Sequence, residues 1–267
     1  MSDRVPPRPD LPAQDSPVPD LPPEGSAVPE MPAPERPLAT WRWWEALLVY
    51  LLILVVTAFA ALPIFRVVRS RGLANLSASA IIALLNVGFL LFWLRAFHPR
   101  WRKVIGLPRR IWPEVRAGTG FGALLYPVVV FGVGILLNLL LELVTGRTIR
   151  SPRQLPAHLS AAGVAVSIAY SLVIAPIHEE LFFRGILFRS LADRYGFAVG
   201  AGGSGLAFGL IHYVPGPVYG SVLLMGVMVF TGVALAWFYQ RRGNIVASMA
   251  AHSTFNVIGL TLILALR

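Results

Sequence analysis

Apolar positions in this chain come in long blocks rather than scattered among polar ones. Beyond residue 40, seven blocks follow one another, near 43–65, 76–97, 119–144, 161–182, 198–213, 218–239 and 245–266. Most approach the roughly 20 residues that a helix needs to cross the hydrocarbon core of a bilayer. The pattern predicts an all-α fold, a polytopic transmembrane bundle of about seven helices. The fifth block, VGAGGSGLAFGLIHY, is short and glycine-rich. It is expected to start or stop within the membrane, sheltered by other helices. Gly205 and Gly209 in it have the four-residue spacing that lets helices approach closely. Segment 185–195 (GILFRSLADRY) looks amphipathic and can extend the fourth block into one helix from about 161 to 195. That extension puts Glu179 near mid-membrane. Pro176 loosens such a helix one turn before the glutamates, because it cannot donate a backbone hydrogen bond.

The polar remainder falls into three parts. Residues 1–40 hold twelve prolines, with Asp and Glu between, and no apolar core of signal-peptide length. They are expected to be a disordered, partly polyproline cytoplasmic tail. Residues 41–118 form two transmembrane helices and a basic loop, and 119–267 form the remaining core. Only 13% of the 267 residues are charged and 56% are hydrophobic, whereas a soluble domain carries about 25% charged residues. Lipid must therefore be a partner of the chain.

The net charge of +10 comes almost wholly from arginine. The arginines sit in short loops between apolar blocks, which speaks for membrane topology and against a nucleic-acid partner. Loops 98–118, 184–197 and 240–244 carry more of them than the alternate loops, which hold Arg66, Arg69, Arg71, Arg147, Arg150 and Arg153. The excess predicts a cytoplasmic N-terminus and a C-terminus on the other side. Cysteine is absent, which excludes disulfides, thiolate metal sites and a cysteine nucleophile.

Past residue 118 the only acids are Glu142, Glu179, Glu180 and Asp193. Ionisable groups inside a membrane are costly and mark functional sites by default. Glu179 and Glu180 point about 100° apart on a helix. Glu180 can pair with Arg184 four residues on, which leaves Glu179 free to face a cavity as a general base. Phe208 and His212 share a face, as do His252 and Asn256. Asn256 offers amide donors suited to a developing oxyanion. A carboxylate, two imidazoles and an amide suffice to activate water and stabilise a tetrahedral intermediate. Glu179, His212 and His252 would equally suit a metal, zinc being the ion that such ligands hold with water in the open position. His178-Glu179 is not a zincin pair, since Phe182 stands where the second histidine would be.

In the order EExxxR, FxxxH and HxxxN, these motifs resemble the CPBP family, the CAAX protease and bacteriocin-processing (Abi) group of intramembrane proteases. The resemblance covers about residues 120–266. It implies an integral protein of the bacterial plasma membrane that hydrolyses membrane-associated protein or peptide substrates, prenylated or bacteriocin-like. Glu179 matches the family's catalytic glutamate, acting on water with His212. His252 and Asn256 match the pair assigned to the oxyanion or a metal, and Glu180 and Arg184 match supporting positions. The reaction is expected in a polar cavity open toward the cytoplasm. Rival readings are a non-catalytic immunity or scaffold protein of the same fold, or a proton-coupled transporter using the buried Glu and His as a relay.

Overall fold

The computed structural model describes residues 38–152 and 160–265. The expected disorder of the tail falls almost wholly outside them, as does Arg153. Among the described residues every regular element is helical. The chain runs through α1 (Trp43–Val67), α2 (Arg71–Phe97), α3 (Ile111–Thr145), α4 (Ala161–Tyr195), α5 (Phe197–Leu210), α6 (Val218–Arg242) and α7 (Ile245–Ala265). Six of these are long and apolar enough to cross a membrane. Helix α5 is not: its 14 residues span about 21 Å at 1.5 Å per residue, short of the roughly 30 Å hydrocarbon core. The seven blocks thus give six spanning helices and one short one.

The outside of the bundle is apolar. Leu52, Phe59, Phe92, Leu143 and Val144 are all more than 60% exposed. Such a continuous apolar surface is stable only with lipid against it. The protein is an integral membrane protein.

Contacts between loops sort the bundle into two ends. At the near end, Ala39 N–H donates to Asp193 Oδ2 at 2.8 Å and Trp41 Nε1 to Ile186 O at 3.0 Å. Thr40 Oγ1 meets His98 Nδ1 at 2.7 Å, and Tyr239 Oη donates to Ile105 O at 3.1 Å. The Ile245 N–H donates to Gly106 O at 3.1 Å. These bonds gather residues 39–42, 98–107, 186–195 and 239–245. At the far end lie 62–71, 145–152 and 211–220, where Gly220 packs so closely on the Arg150 carbonyl that a Cβ would overlap it.

Trp41, Trp93, Leu94, Ile105, Phe188 and Tyr239 belong to one buried cluster that fills the near end. Small residues set the helix spacing. Gly118 and Gly122 of α3 lie against Ala247, Ala250 and Ala251 of α7, and Gly205 and Gly209 of α5 against Val233 and Val229 of α6. The close approach expected of the glycine pair in α5 is met there. The α3–α7 crossing matters for the site, because Ala251 precedes His252.

A methyl group at position 122 would overlap the Ala251 carbonyl, whereas at position 120 nothing lies within 4 Å. Overpacking of this kind costs about 1–3 kcal/mol. Gly122→Ala is expected to lower the Tm of the detergent-solubilised protein clearly, and Gly120→Ala to leave it unchanged or slightly higher. Equal melting of the two variants would contradict this packing.

Candidate active site

Helix α4 is continuous from Ala161 to Tyr195, so the amphipathic segment does extend the fourth block. Its winding widens to a π-helix at Tyr170–Ile174 and again at Leu181–Phe188, on either side of the glutamates. In the first wide turn the Ala175 N–H reaches back five residues to Tyr170 O. The next donor in that series would be residue 176, serving Ser171 O. Pro176 has no N–H, so that carbonyl is orphaned. Asn256 Nδ2 of α7 supplies the missing donor at 3.1 Å. One amide proton of Asn256 is thus committed to holding α7 on α4.

The two carboxylates diverge, as their adjacency on a helix requires. Glu180 is fully buried and surrounded by partners. Arg184 Nη1 lies 2.9 Å from its Oε1, a close charge contact rather than an aligned hydrogen bond. His252 Nδ1 stands 2.8 Å from the same oxygen, and Ser248 Oγ donates to Oε2. Arg184 is anchored further by Nη2 on Gly232 O at 3.3 Å and by Phe208, whose ring lies 4.4 Å from its Cζ. A carboxylate without its acid proton can only accept, so His252 Nδ1 carries a proton and its Nε2 points away from Glu180.

Nε2 points toward Glu179. The two groups are 3.8 Å apart, beyond hydrogen-bond length, and Glu179 Oε2 has no hydrogen-bond partner among the described residues. His212 lies in the turn just past α5, and its Nδ1 sits 2.7 Å from Phe208 O. A carbonyl accepts, so this ring too has its proton on Nδ1 and presents Nε2. The Phe208 ring separates the two imidazoles, with centroids 4.7 Å from His212 and 5.6 Å from His252.

All four expected catalytic residues, Glu179, His212, His252 and Asn256, line one cavity of about 860 Å³. Its innermost lining includes Tyr50, Asn86, Tyr126, Thr231 and His252, at the level of Glu179. From there it runs only toward the far end, past Leu54, Ile82, Ile135, Leu224 and Leu260 to Ser151. The cavity opens away from the end where residues 39–42 are bound, because Phe182, Phe188, Trp41, Trp93 and Tyr239 close that end. A cytoplasmic N-terminus and a mouth toward the cytoplasm therefore do not go together in this bundle.

His212 and His252 are each held through Nδ1 and present Nε2, as metal-ligating histidines do. Among the described residues, however, no three His, Asp or Glu side chains gather as a ligand set, so Glu179, His212 and His252 as placed do not form a zinc site.

Two partnerships were not anticipated. Ser248 precedes His252 by one helical turn, a spacing visible in the sequence but masked by the small, weakly polar side chain. The other is a polar cluster from outside the motifs. His178 Nε2 lies 3.3 Å from both Tyr50 Oη and Asn86 Nδ2, and Thr57 Oγ1 meets Asn86 Oδ1 at 2.8 Å. It ties α1 and α2 to the wall of the cavity beside Glu179.

The fold and the site define a class: helical membrane proteins with a carboxylate–imidazole centre buried at mid-bundle. Residues 161–258 match the family model described as Type II CAAX prenyl endopeptidase Rce1-like, which agrees with the CPBP resemblance of the motifs. That family is one of proteases. The match starts with α4 and ends within α7, so α1 to α3 lie outside it. Neither the curated proteins nor the solved structures hold a match to the chain.

Removing one partner of a buried ion pair costs about 3–5 kcal/mol, because the other charge is left uncompensated. Glu180→Ala is therefore expected to lower the Tm strongly. Glu179→Gln, which replaces a carboxylate oxygen that has no partner, should leave the Tm unchanged or raise it. Thermal melting in detergent checks both, and a mild Glu180→Ala would contradict the arrangement.

Proposed function

We propose that the chain is an intramembrane endopeptidase that hydrolyses peptide bonds of membrane-associated polypeptides. The observation that carries the reading is the free Oε2 of Glu179, buried and facing one cavity together with Nε2 of His212 and of His252. An unpaired buried carboxylate oxygen is costly unless it has a task.

In the proposed reaction a water enters between Glu179 and the peptide carbonyl. Glu179, helped by His212 Nε2, takes a proton as the water oxygen attacks the carbonyl carbon. The oxyanion that forms is held by His252 Nε2–H and by the second amide proton of Asn256. His252 can donate there when it carries both protons, with Glu180 accepting from Nδ1. Collapse of the tetrahedral intermediate breaks the C–N bond, and Glu179 passes its proton to the leaving amine. The products are a carboxylate and an amine. Glu180, Arg184 and Ser248 touch no substrate; they hold His252 in place. The family description favours substrates bearing a prenyl group or a similarly apolar anchor, and the apolar walls of the cavity are in keeping with that.

A positioned general base contributes about 10²–10⁴-fold to rate. Glu179→Gln is expected to lose about that much cleavage of a peptide library by the protein in lipid vesicles, at normal folding yield. Cleavage at the wild-type rate would overturn the assignment. Dialysis against a chelator is expected to leave the wild-type rate intact; loss of cleavage restored by zinc would put Glu179, His212 and His252 on an ion instead.

A further inference from the structure

The polar cluster beside Glu179 holds more hydrogen-bond donors than it can use. Residues 175–180 of α4 wind as a regular α-helix, so His178 and Glu180 point roughly 200° apart around its axis. Glu180 faces α7, where His252 and Ser248 meet it, and His178 faces α1 and α2. Glu179 lies between these directions and fronts the chamber. Helices α1 and α2 thus form a second wall, across α4 from α7, and Tyr50 and Asn86 line it. Both address one atom, His178 Nε2, at 3.3 Å each. Thr57 Oγ1 lies 2.8 Å from Asn86 Oδ1, which turns the amide nitrogen toward the ring. An amide nitrogen donates and does not accept, so Nε2 must offer its lone pair. One lone pair takes one donor, whereas Asn86 Nδ2 and Tyr50 Oη both compete for it. A donor is therefore always left over. Tyr50 is 7% exposed and Asn86 wholly buried, and a spare donor so placed is costly unless an acceptor comes to it. The Tyr50 ring stacks on Phe182 with centroids 3.8 Å apart, which holds the hydroxyl in place.

We infer that Tyr50 and Asn86 form a substrate subsite, a pair of donors that receives a backbone carbonyl oxygen of the bound polypeptide on the wall opposite His252 and Asn256. In an extended peptide successive carbonyls point to opposite sides. A scissile carbonyl turned toward His252 and Asn256 leaves its neighbour turned toward Tyr50 and Asn86. The two residues touch no reacting atom; they set the register of the chain over Glu179. The subsite comes from helices that precede the matched family segment. That its ligand is a polypeptide rests on the hydrolase reading above; the surplus of donors does not.

The test uses the full chain in lipid nanodiscs and a peptide that it retains from the library. Binding is measured in the Glu179→Gln background, so that retention does not depend on cleavage. Tyr50→Phe removes the hydroxyl and keeps the ring on Phe182; Asn86→Asp keeps the shape and removes the amide protons. Each is expected to raise the Kd about tenfold, the order of one neutral hydrogen bond. With Glu179 present, KM should rise likewise at unchanged kcat, because a contact away from the reacting atoms binds substrate and transition state alike. Carbonyl oxygens of the peptide are then replaced one at a time by sulfur, a weaker acceptor. One position should weaken binding to the parent and have no further effect in Tyr50→Phe, a coupling that loosened helix packing would not produce. Equal Kd values for the parent and both variants, or sulfur effects indifferent to Tyr50, would overturn the inference and leave the hydrolase reading standing. Retention that depends on Tyr50, without cleavage by the wild type, would sink the hydrolase reading alone. Retention of no peptide by the parent would overturn the subsite, and cleavage by the wild type then decides the hydrolase reading separately.

Discussion

The site is organised by one carboxylate held where water cannot reach it. Glu180 sits at the centre of the bundle with a guanidinium, an imidazole and a hydroxyl around its two oxygens. Each of those groups would be expensive to bury alone in a medium of low polarity, and together they satisfy one another. The arrangement also has a direction. By accepting from Nδ1 of His252 it fixes that ring, and the other nitrogen faces Glu179. The adjacent glutamates therefore take opposite roles: one is saturated with partners and structural, the other lacks a partner and is available for chemistry.

Helix packing places these groups within reach. Glycines on α3 and alanines on α7 let the two backbones come close just before His252. Pro176 leaves the Ser171 carbonyl without a donor, and Asn256 fills the vacancy from α7. A defect in one helix thus becomes a docking point for the next, and the residues that dock there line the chamber. The aromatic cluster at the near end closes the bundle on that side and leaves the chamber a single direction of access.

Much of this was legible in the sequence. Block lengths gave the helices, including the weakness of α5, and the amphipathic run after residue 183 gave the continuation of α4. The Glu180–Arg184 pair followed from helical spacing alone. What could not be read is whatever depends on contacts between distant segments. His252 meets Glu180 across 72 positions, and nothing local to either residue announces it. Tyr50 and Asn86 reach His178 from helices outside the motifs. Which end of the bundle is filled escaped for a similar reason, because only side-chain packing between distant segments decides it. His212 was placed on a helical face, whereas the helix stops at Leu210 and the ring is held through the Phe208 carbonyl instead.

The central claim is that a buried carboxylate fixes His252 through Nδ1 so that Nε2 addresses Glu179. Nitrogen-15 NMR of the ring in lipid bilayers reads the protonation of each nitrogen directly. The account requires a protonated Nδ1 in the wild type that shifts on Glu180→Gln, with the signal of His212 unmoved. A bare Nδ1 on His252, or a spectrum indifferent to Glu180, would contradict it.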